Sequence, residues 1–329
     1  MCYPLVIVWR ILKAVFICCG DVLVDLFSQP TQSVGKVGLS GHVGGSPLNV
    51  AVGLSRLGNS TGYLCKNSTD FIGQSIGEYL QANNIKPDWI TSSPLNSTLA
   101  MIKTNEDGSA NYAFYTDNTA DVSLTLDDLP AQFPDDLDAL HFGSYSTAVD
   151  PTSSTLVTLA QREAAHRVIS YDPNIRPTIE PDMDIWREKF AAISKAADFV
   201  KASDEDIELL FGKSKSFDDF AADVLSHGAS AVAVTEGGSG ATVYSPDGRV
   251  VRSEPLSVKV ADTVGAGDTF QAASLHWLKA QGCMNDGVLS VADADVAAWV
   301  NFAARAAAIT CSRHGADLPT LAEVAAWNA

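Results

Sequence analysis

Short runs of consecutive apolar residues alternate along the chain with stretches that are apolar at helical spacing. Ala14–Cys19 (AVFICC) reads as a first buried strand. PLNVAVGLSRLG, from Pro47, reads as a helix that stops at Gly58. TGYLCK follows as a strand and FIGQSIGEYLQANN as a helix. Further on, DALHFGS, RVISYDP, DFVKAS and SAVAVTE are apolar runs closed by turn residues, with helical stretches such as SSTLVTLAQREAAH between them. Buried strands separated by helices predict an α/β fold, with a mainly parallel sheet flanked by helices on both faces. In such sheets ligands bind beyond the carboxyl ends of the strands.

Two regions depart from this rhythm. TLAMIKTNEDGSANYAFYT holds two β-rich runs joined at Asn105–Gly108, a hairpin signal. The stretch from Val22 to Val43 is also β-rich, glycine-bearing and non-helical. Both are too polar for burial on two faces. Together, segments 22–43 and 97–117 predict a small antiparallel sheet set apart from the main one. Such a sheet suits a lid over a site, and its outer face suits a second subunit, so a homodimer through the lid is expected. Another hairpin, GATVYSPDGRVVRSEP, turns at Asp247-Gly248. No repeat or linker divides the chain, which reads as one domain over residues 1–329.

Composition narrows the partners. The formal net charge of −17 argues against nucleic acid, which needs a basic face. The six cysteines form no C-x-x-C pair, the usage of buried thiols in a reducing compartment, so a cytoplasmic location is expected. The apolar start, MCYPLVIVWRILKAVFICCG, has Arg10 and Lys13 interrupting its run rather than preceding it, and no clear cleavage site follows. It reads as an extension ahead of the first strand. No other segment approaches the ~18 apolar residues of a membrane span, so no membrane partner is expected.

The chemistry centres on Lys259–Phe270, KVADTVGAGDTF. SVKVA reads as a strand or its end, and a helical pattern starts at Thr269. Gly265-Ala266-Gly267 therefore sits where a loop becomes a helix. Small residues there leave backbone N–H groups open to a ligand, and the helix dipole favours an anion. Asp268 would then stand beside that anion. A carboxylate is a poor neighbour for simple anion binding but a good one for taking a proton from a group that attacks phosphorus. The plainer alternative is a solvated aspartate at a helix start. P-loop, G-x-G-x-x-G and H-E-x-x-H motifs are all missing. A second cluster, Gly44-Gly45-Ser46-Pro47-Leu48-Asn49, reads as a tight turn with Ser46 as N-cap and Pro47 at the first helical position. It also suits a polyhydroxyl ligand, with Asn49 able to donate and accept.

Gly44-Gly45-x-x-x-Asn49 and Asp262-Thr263-Val264-Gly265-Ala266-Gly267-Asp268 resemble the two signatures of the ribokinase-like (PfkB-type) sugar kinases, in the same order. GGSPLNVAVGLSRLG and YDPNIRP are most similar to the bacterial fructokinases of that family. The resemblance covers nearly the whole chain after Lys13. It implies a ribokinase-like fold and ATP-dependent phosphorylation of a sugar hydroxyl, with D-fructose converted to D-fructose 6-phosphate. It also implies ATP and Mg²⁺ as cofactors, with K⁺ as a further expectation. Asp268 then resembles the general base, and Gly265, Ala266 and Gly267 the anion hole. Asp25, Gly44, Gly45, Asn49, Asn174 and Arg176 match sugar-binding positions, although Arg176 equally suits a phosphate. Asp25 has the alternative of an edge-strand charge, and Asn174 and Arg176 that of a proline-flanked turn.

Thr235, Gly237 and Gly240 resemble the nucleotide-facing turn. Ser203 and Asp206 stand where the family often carries N-x-x-E, so Asp206 would place Mg²⁺ through water; the alternative is an acidic first helical turn. Asp262 and Val264, with Thr310, Arg313, Gly315 and Pro319, match a monovalent-cation site. Ala304 replaces an asparagine common near the adenine. Acceptors left open are 2-keto-3-deoxygluconate, ribose and a nucleoside. From a different class, a non-catalytic sugar or nucleotide sensor stays open, although the intact Gly265–Asp268 run argues against it.

Overall fold

A computed structural model describes residues 16–30, 33–104, 110–253, 256 and 258–327. Ala14 and Val15 of the first expected strand, the extension ahead of it and the Asn105–Gly108 turn lie outside them. β1 (Phe16–Cys19) runs into β2 (Leu23–Gln29) and β3 (Gly38–Gly44), followed by α1 (Ser46–Arg56), β4 (Thr61–Ser68), α2 (Phe71–Ala82), β5 (Lys86–Ser93), β6 (Thr98–Thr104) and β7 (Ala110–Tyr115). The alternation resumes with β8 (Ala139–Gly143), α3 (Thr152–Glu163), β9 (Val168–Asp172), α4 (Met183–Ser194), β10 (Phe199–Ser203), α5 (Asp204–Phe211), α6 (Phe217–Ser226) and β11 (Ala231–Thr235). β12 (Ala241–Tyr244) and β13 (Val250–Arg252) form the second hairpin. The chain closes with α7 (Ala266–Ala280), the short pair β14 (Met284–Asn285) and β15 (Val288–Leu289), α8 (Val296–Cys311) and α9 (Leu321–Ala326).

The main sheet has the order β13-β12-β11-β10-β9-β8-β1-β4-β5. Its pairings are parallel from β5 through β11 and antiparallel only at the β12 and β13 edge. β1, β8 and β9 are buried along their whole length, because helices cover both faces. One core lies against α1, α7 and α8, and a second against α3 to α6. Cys18, Cys19, Cys65 and Cys283 are buried free thiols. From β1 the chain builds outward to β4 and β5 on one side, then returns to build β8 to β11 on the other. The order reverses between β1 and β8, which opens a crevice at their carboxyl ends.

The second sheet has the order β3-β2-β6-β7. It consists of two antiparallel hairpins, β2–β3 and β6–β7, joined by a parallel pairing of β2 with β6. β2 starts four residues after β1 ends, so this sheet stands directly over the crevice.

One expected strand is not formed among the described residues: Val258–Ala261 of SVKVA carry no ladder. The segment is tied instead to the end of α8, where the Ala261 N–H donates to the Cys311 carbonyl at 2.8 Å.

α1 and α7 pack side by side with their N-termini at the crevice. A Cβ on Gly53 would lie 2.6 Å from Leu318 Cδ2 and 2.7 Å from Ala272 Cβ, so no side chain fits between the helices. Beyond α1, Asn59 Nδ2 meets His276 Nδ1 of α7 at 3.0 Å. Gly53→Val should force the helices apart at a cost of about 1–3 kcal/mol. A fall in melting temperature together with a fall in turnover is the expected result, since the same pair of helices carries the site.

Candidate active site

α7 starts from Gly265, whose φ of 77° lies in the left-handed region. A Cβ there would stand 2.8 Å from Ala316 Cβ, and one on Gly267 would stand 3.2 Å from Lys201 Nζ. The turn is therefore bare backbone at both glycines, and Ala266 between them also lines the cavity. Asp268 sits in the first turn of α7 and is 6% exposed. Its Oδ1 accepts a hydrogen bond from Ser46 Oγ at 2.6 Å, and its Oδ2 accepts one from Asn49 Nδ2 at 2.8 Å. Burial raises its pKa above the usual carboxylate range, while Ser46, Asn49 and the positive charges of Lys201 and Arg176 oppose the rise.

Ser46 is not the N-cap of α1. Gly45 holds that position with φ 124°, and Ser46 is the first helical residue. The Ser46 hydroxyl instead donates to the buried Asp268 carboxylate, a charge-assisted bond that ties the start of α1 to α7. Gly45 must be glycine, because a Cβ would lie 2.6 Å from the Asp21 carbonyl oxygen.

These groups open into a cavity of about 950 Å³ between the two sheets. On the lid side, Asp25 of β2 is half-buried, and burial lifts its pKa to about 6 against the opposing charge of Arg176. Gly44 faces Asp25, with a Cβ there lying 2.6 Å from Asp25 Oδ2, so its part is to leave room for that carboxylate. Asn174 has φ 40°, an uncommon backbone for a side-chain residue, and both it and Arg176 line the cavity. Arg176 is exposed and donates from Nη1 to the Ile175 carbonyl at 2.9 Å. Sequence reasoning missed Asp21, Phe27, Ile102, Phe114, Ser144 and Tyr145 on this side. The alternation of β2, β6 and β7 carried the signal for Phe27, Ile102 and Phe114.

Ser203, Thr235, Gly237 and Gly240 lie at the other end of the cavity. Gly237 and Gly240 have φ of 51° and 97°. Ala304, placed near the nucleotide by the sequence reading, lies there with Leu256, Val258, Val260, Ala307 and Ala308, which that reading did not find and which complete an apolar slot. Ser203 caps α5, and Asp206 answers in a capping box. Asp206 Oδ1 accepts from the Ile175 N–H at 2.8 Å, and Oδ2 accepts from the Ser203 N–H at 2.9 Å and Oγ at 2.7 Å.

Next to the glycine turn, Asp262 joins two loops. Its Oδ1 accepts from the Val264 N–H at 3.0 Å and its Oδ2 from the Gly315 N–H at 2.9 Å. Thr310 Oγ1 meets Thr269 Oγ1 at 2.8 Å. The Arg313 side chain is committed to Asp317 and Glu323.

A buried ion pair was also missed. Lys201 Nζ of β10 lies 2.6 Å from Asp172 Oδ2 at the end of β9. Asp172 has its pKa raised to about 6 by burial, with Lys201 opposing. A lone lysine inside an otherwise apolar strand was the available signal.

The profile of the pfkB family carbohydrate kinases matches residues 16–323, and the chain belongs to that family. It is a sugar kinase of the ribokinase-like fold. A fructokinase from Rhizobium leguminosarum bv. trifolii is 41% identical over 264 residues, covering 80% of this chain and 79% of the relative. The crystal structure of a fructokinase from Xylella fastidiosa with bound ATP superposes with a TM-score of 0.86 at 23% identity, covering 95% of this chain and 98% of that one. A fructokinase double mutant from Vibrio cholerae O395, solved with fructose, ADP and a potassium ion, gives 0.81 at 24% identity, with coverage of 95% and 98%.

Donors to Asp268 favour its charged form, so removing one should raise its pKa further. The variant Ser46→Ala should move the acid limb of the pH–rate profile to higher pH, at unchanged plateau order. A profile that stays in place would mean that the Ser46 bond does not act on the titrating group.

Proposed function

We propose that the protein transfers the γ-phosphoryl group of ATP to the 6-hydroxyl of D-fructose. The observation that carries the reading is the buried Asp268 carboxylate, held by α1 and adjoining the bare backbone turn Gly265–Gly267. Asp268 takes the proton of the sugar hydroxyl, whose oxygen forms the new bond to phosphorus. The bond from phosphorus to the bridging oxygen breaks, and its electron pair leaves with ADP. N–H groups of the turn meet the charge on the transferred group. Asp25, Gly45, Asn49, Asn174 and Arg176 bind and orient the sugar, with Gly44 making room for Asp25. Thr235, Gly237, Gly240 and Ser203 face the nucleotide, and the apolar slot around Ala304 takes the adenine.

Magnesium supplies charge neutralisation on the phosphates when bound. Both oxygens of Asp206 are already engaged by α5 and Ile175, which fits a contact through water and not direct ligation. Among the described residues no group of three or more His, Cys, Asp and Glu side chains could hold a metal. The Asp262 bridge fixes the loops bearing Val264 and Gly315; their carbonyls, with those of Thr310 at the end of α8 and Arg313, suit a potassium ion. The whole chain works as one kinase unit with a lid, and exposed Val34, Val37, Leu39 and Tyr115 on the lid segments support a homodimer through that face. No helix among the described residues is long and apolar enough to cross a membrane.

Fructose as acceptor rests on the Rhizobium relative, and the sugars named above are the competing outcomes. ADP release should be measured with ATP and Mg²⁺ on fructose, ribose, 2-keto-3-deoxygluconate and adenosine. Turnover should be strongest on fructose and should fall about 10²–10⁴-fold in Asp268→Asn with ATP binding retained. Turnover on another acceptor replaces the substrate and keeps the mechanism. Binding without turnover on any of them returns the sensor reading.

A further inference from the structure

Lys201 is out of place by the rules that govern the rest of β10. Its neighbours Val200 and Ala202 are fully buried, and it is itself 3% exposed. An ammonium there is costly unless paired, and even a pair is commonly no more stabilising than apolar side chains of the same size. The pair with Asp172 is also incomplete. Asp172 Oδ1 is buried and accepts no hydrogen bond. A pair serving packing alone would have that oxygen satisfied.

What Lys201 faces gives it a use. Its Nζ lies beneath the first turn of α7, where the missing side chain of Gly267 leaves a gap; a Cβ would stand 3.2 Å away. Its charge reaches both Asp268 and Asp206. Six carboxylates line the same cavity: Asp21, Asp25, Asp204, Glu205, Asp206 and Asp268. A polyphosphate entering this basin needs fixed positive charge. Among the described lining residues, Lys201 and Arg176 supply it. Arg176 is exposed, with its guanidinium on the Ile175 carbonyl. Lys201 is the one that is buried and adjoins the turn.

Resting on the kinase reading above, we propose that Lys201 is a catalytic residue. Its ammonium, aimed by Asp172, donates through the gap at Gly267 to an oxygen of the transferred phosphoryl group. Lys201 keeps its proton throughout; the proton that moves is the sugar's, and it goes to Asp268. Asp172 is a positioning residue, and Gly267 is glycine partly to keep this approach open.

The test compares Lys201→Gln, Lys201→Arg and the double variant Lys201→Gln/Asp172→Asn with the wild-type enzyme. The double variant keeps a hydrogen-bonded pair of similar shape without buried charge, so it separates catalysis from folding. Expected are a fall in kcat of about 10²–10³-fold in Lys201→Gln and in the double variant, with KM for the sugar little changed. Partial recovery is expected in Lys201→Arg. The acid limb of kcat should also move to higher pH, because Asp268 loses a nearby positive charge. A folded double variant with kcat within about threefold of wild type would overturn the proposal and leave the pair structural. Wild-type enzyme that turns over no sugar would overturn the kinase reading and this proposal with it.

Discussion

Two hydrogen bonds join the Asp268 carboxylate to Ser46 and Asn49, residues more than two hundred positions away in the chain. Much of the molecule serves to make them. The reversal of strand order between β1 and β8 brings the start of α1 and the start of α7 to one crevice. Gly53 lets the two helices approach along their length until Ala272 fills the contact. The left-handed turn at Gly265 then aims α7 so that its first carboxylate faces α1. In the proposed mechanism, a base placed this way is fixed before the sugar arrives, and the N–H groups that would meet the phosphoryl charge belong to the same turn. That mechanism needs nucleophile and phosphorus as neighbours, which places base and anion hole side by side.

The surrounding charge makes the same point from another side. Burial raises the pKa of Asp21, Asp25, Asp172 and Asp268. A basin of carboxylates suits a sugar, whose hydroxyls donate. It repels a polyphosphate unless positive charge is placed within it. In the proposed mechanism the ammonium of Lys201 answers that need from below the helix turn, and the backbone N–H groups answer it from the turn itself.

Much of this was legible in the sequence, for reasons that are local. β8, β9, β10 and β11 are short apolar runs ended by turn residues, and buried strands of a parallel sheet have few other ways to look. The lid segments stood out because their alternation marks strands with one wet face. Gly265–Asp268 and Gly44–Asn49 were readable because bare backbone and a single carboxylate at a helix start have few other uses together. Other features depend on contacts that pattern does not encode. Ser46 is a good N-cap by type, and only the nearness of Asp268 turns its hydroxyl elsewhere. Val258–Val260 have the composition of a strand, but the backbone that follows them is tied to the end of α8. Lys201 looked like one polar residue in DFVKAS, and its meaning comes from Asp172 and Gly267, which the fold brings beside it. Asp21 and the lid side chains Phe27, Ile102 and Phe114 became site residues only when the second sheet was placed over the first.

The central claim is that Ser46 acts on the reaction through Asp268 and by no other route. A double-mutant cycle on kcat measured in the acid limb of the pH profile, where Ser46→Ala alone is expected to cost activity, with Ser46→Ala, Asp268→Asn and the two combined, tests it most directly. If the two residues form one unit, the Ser46 change should cost nothing further once Asp268 is an asparagine. Losses that multiply in the double variant would contradict the account, since Ser46 would then serve the reaction independently of the base.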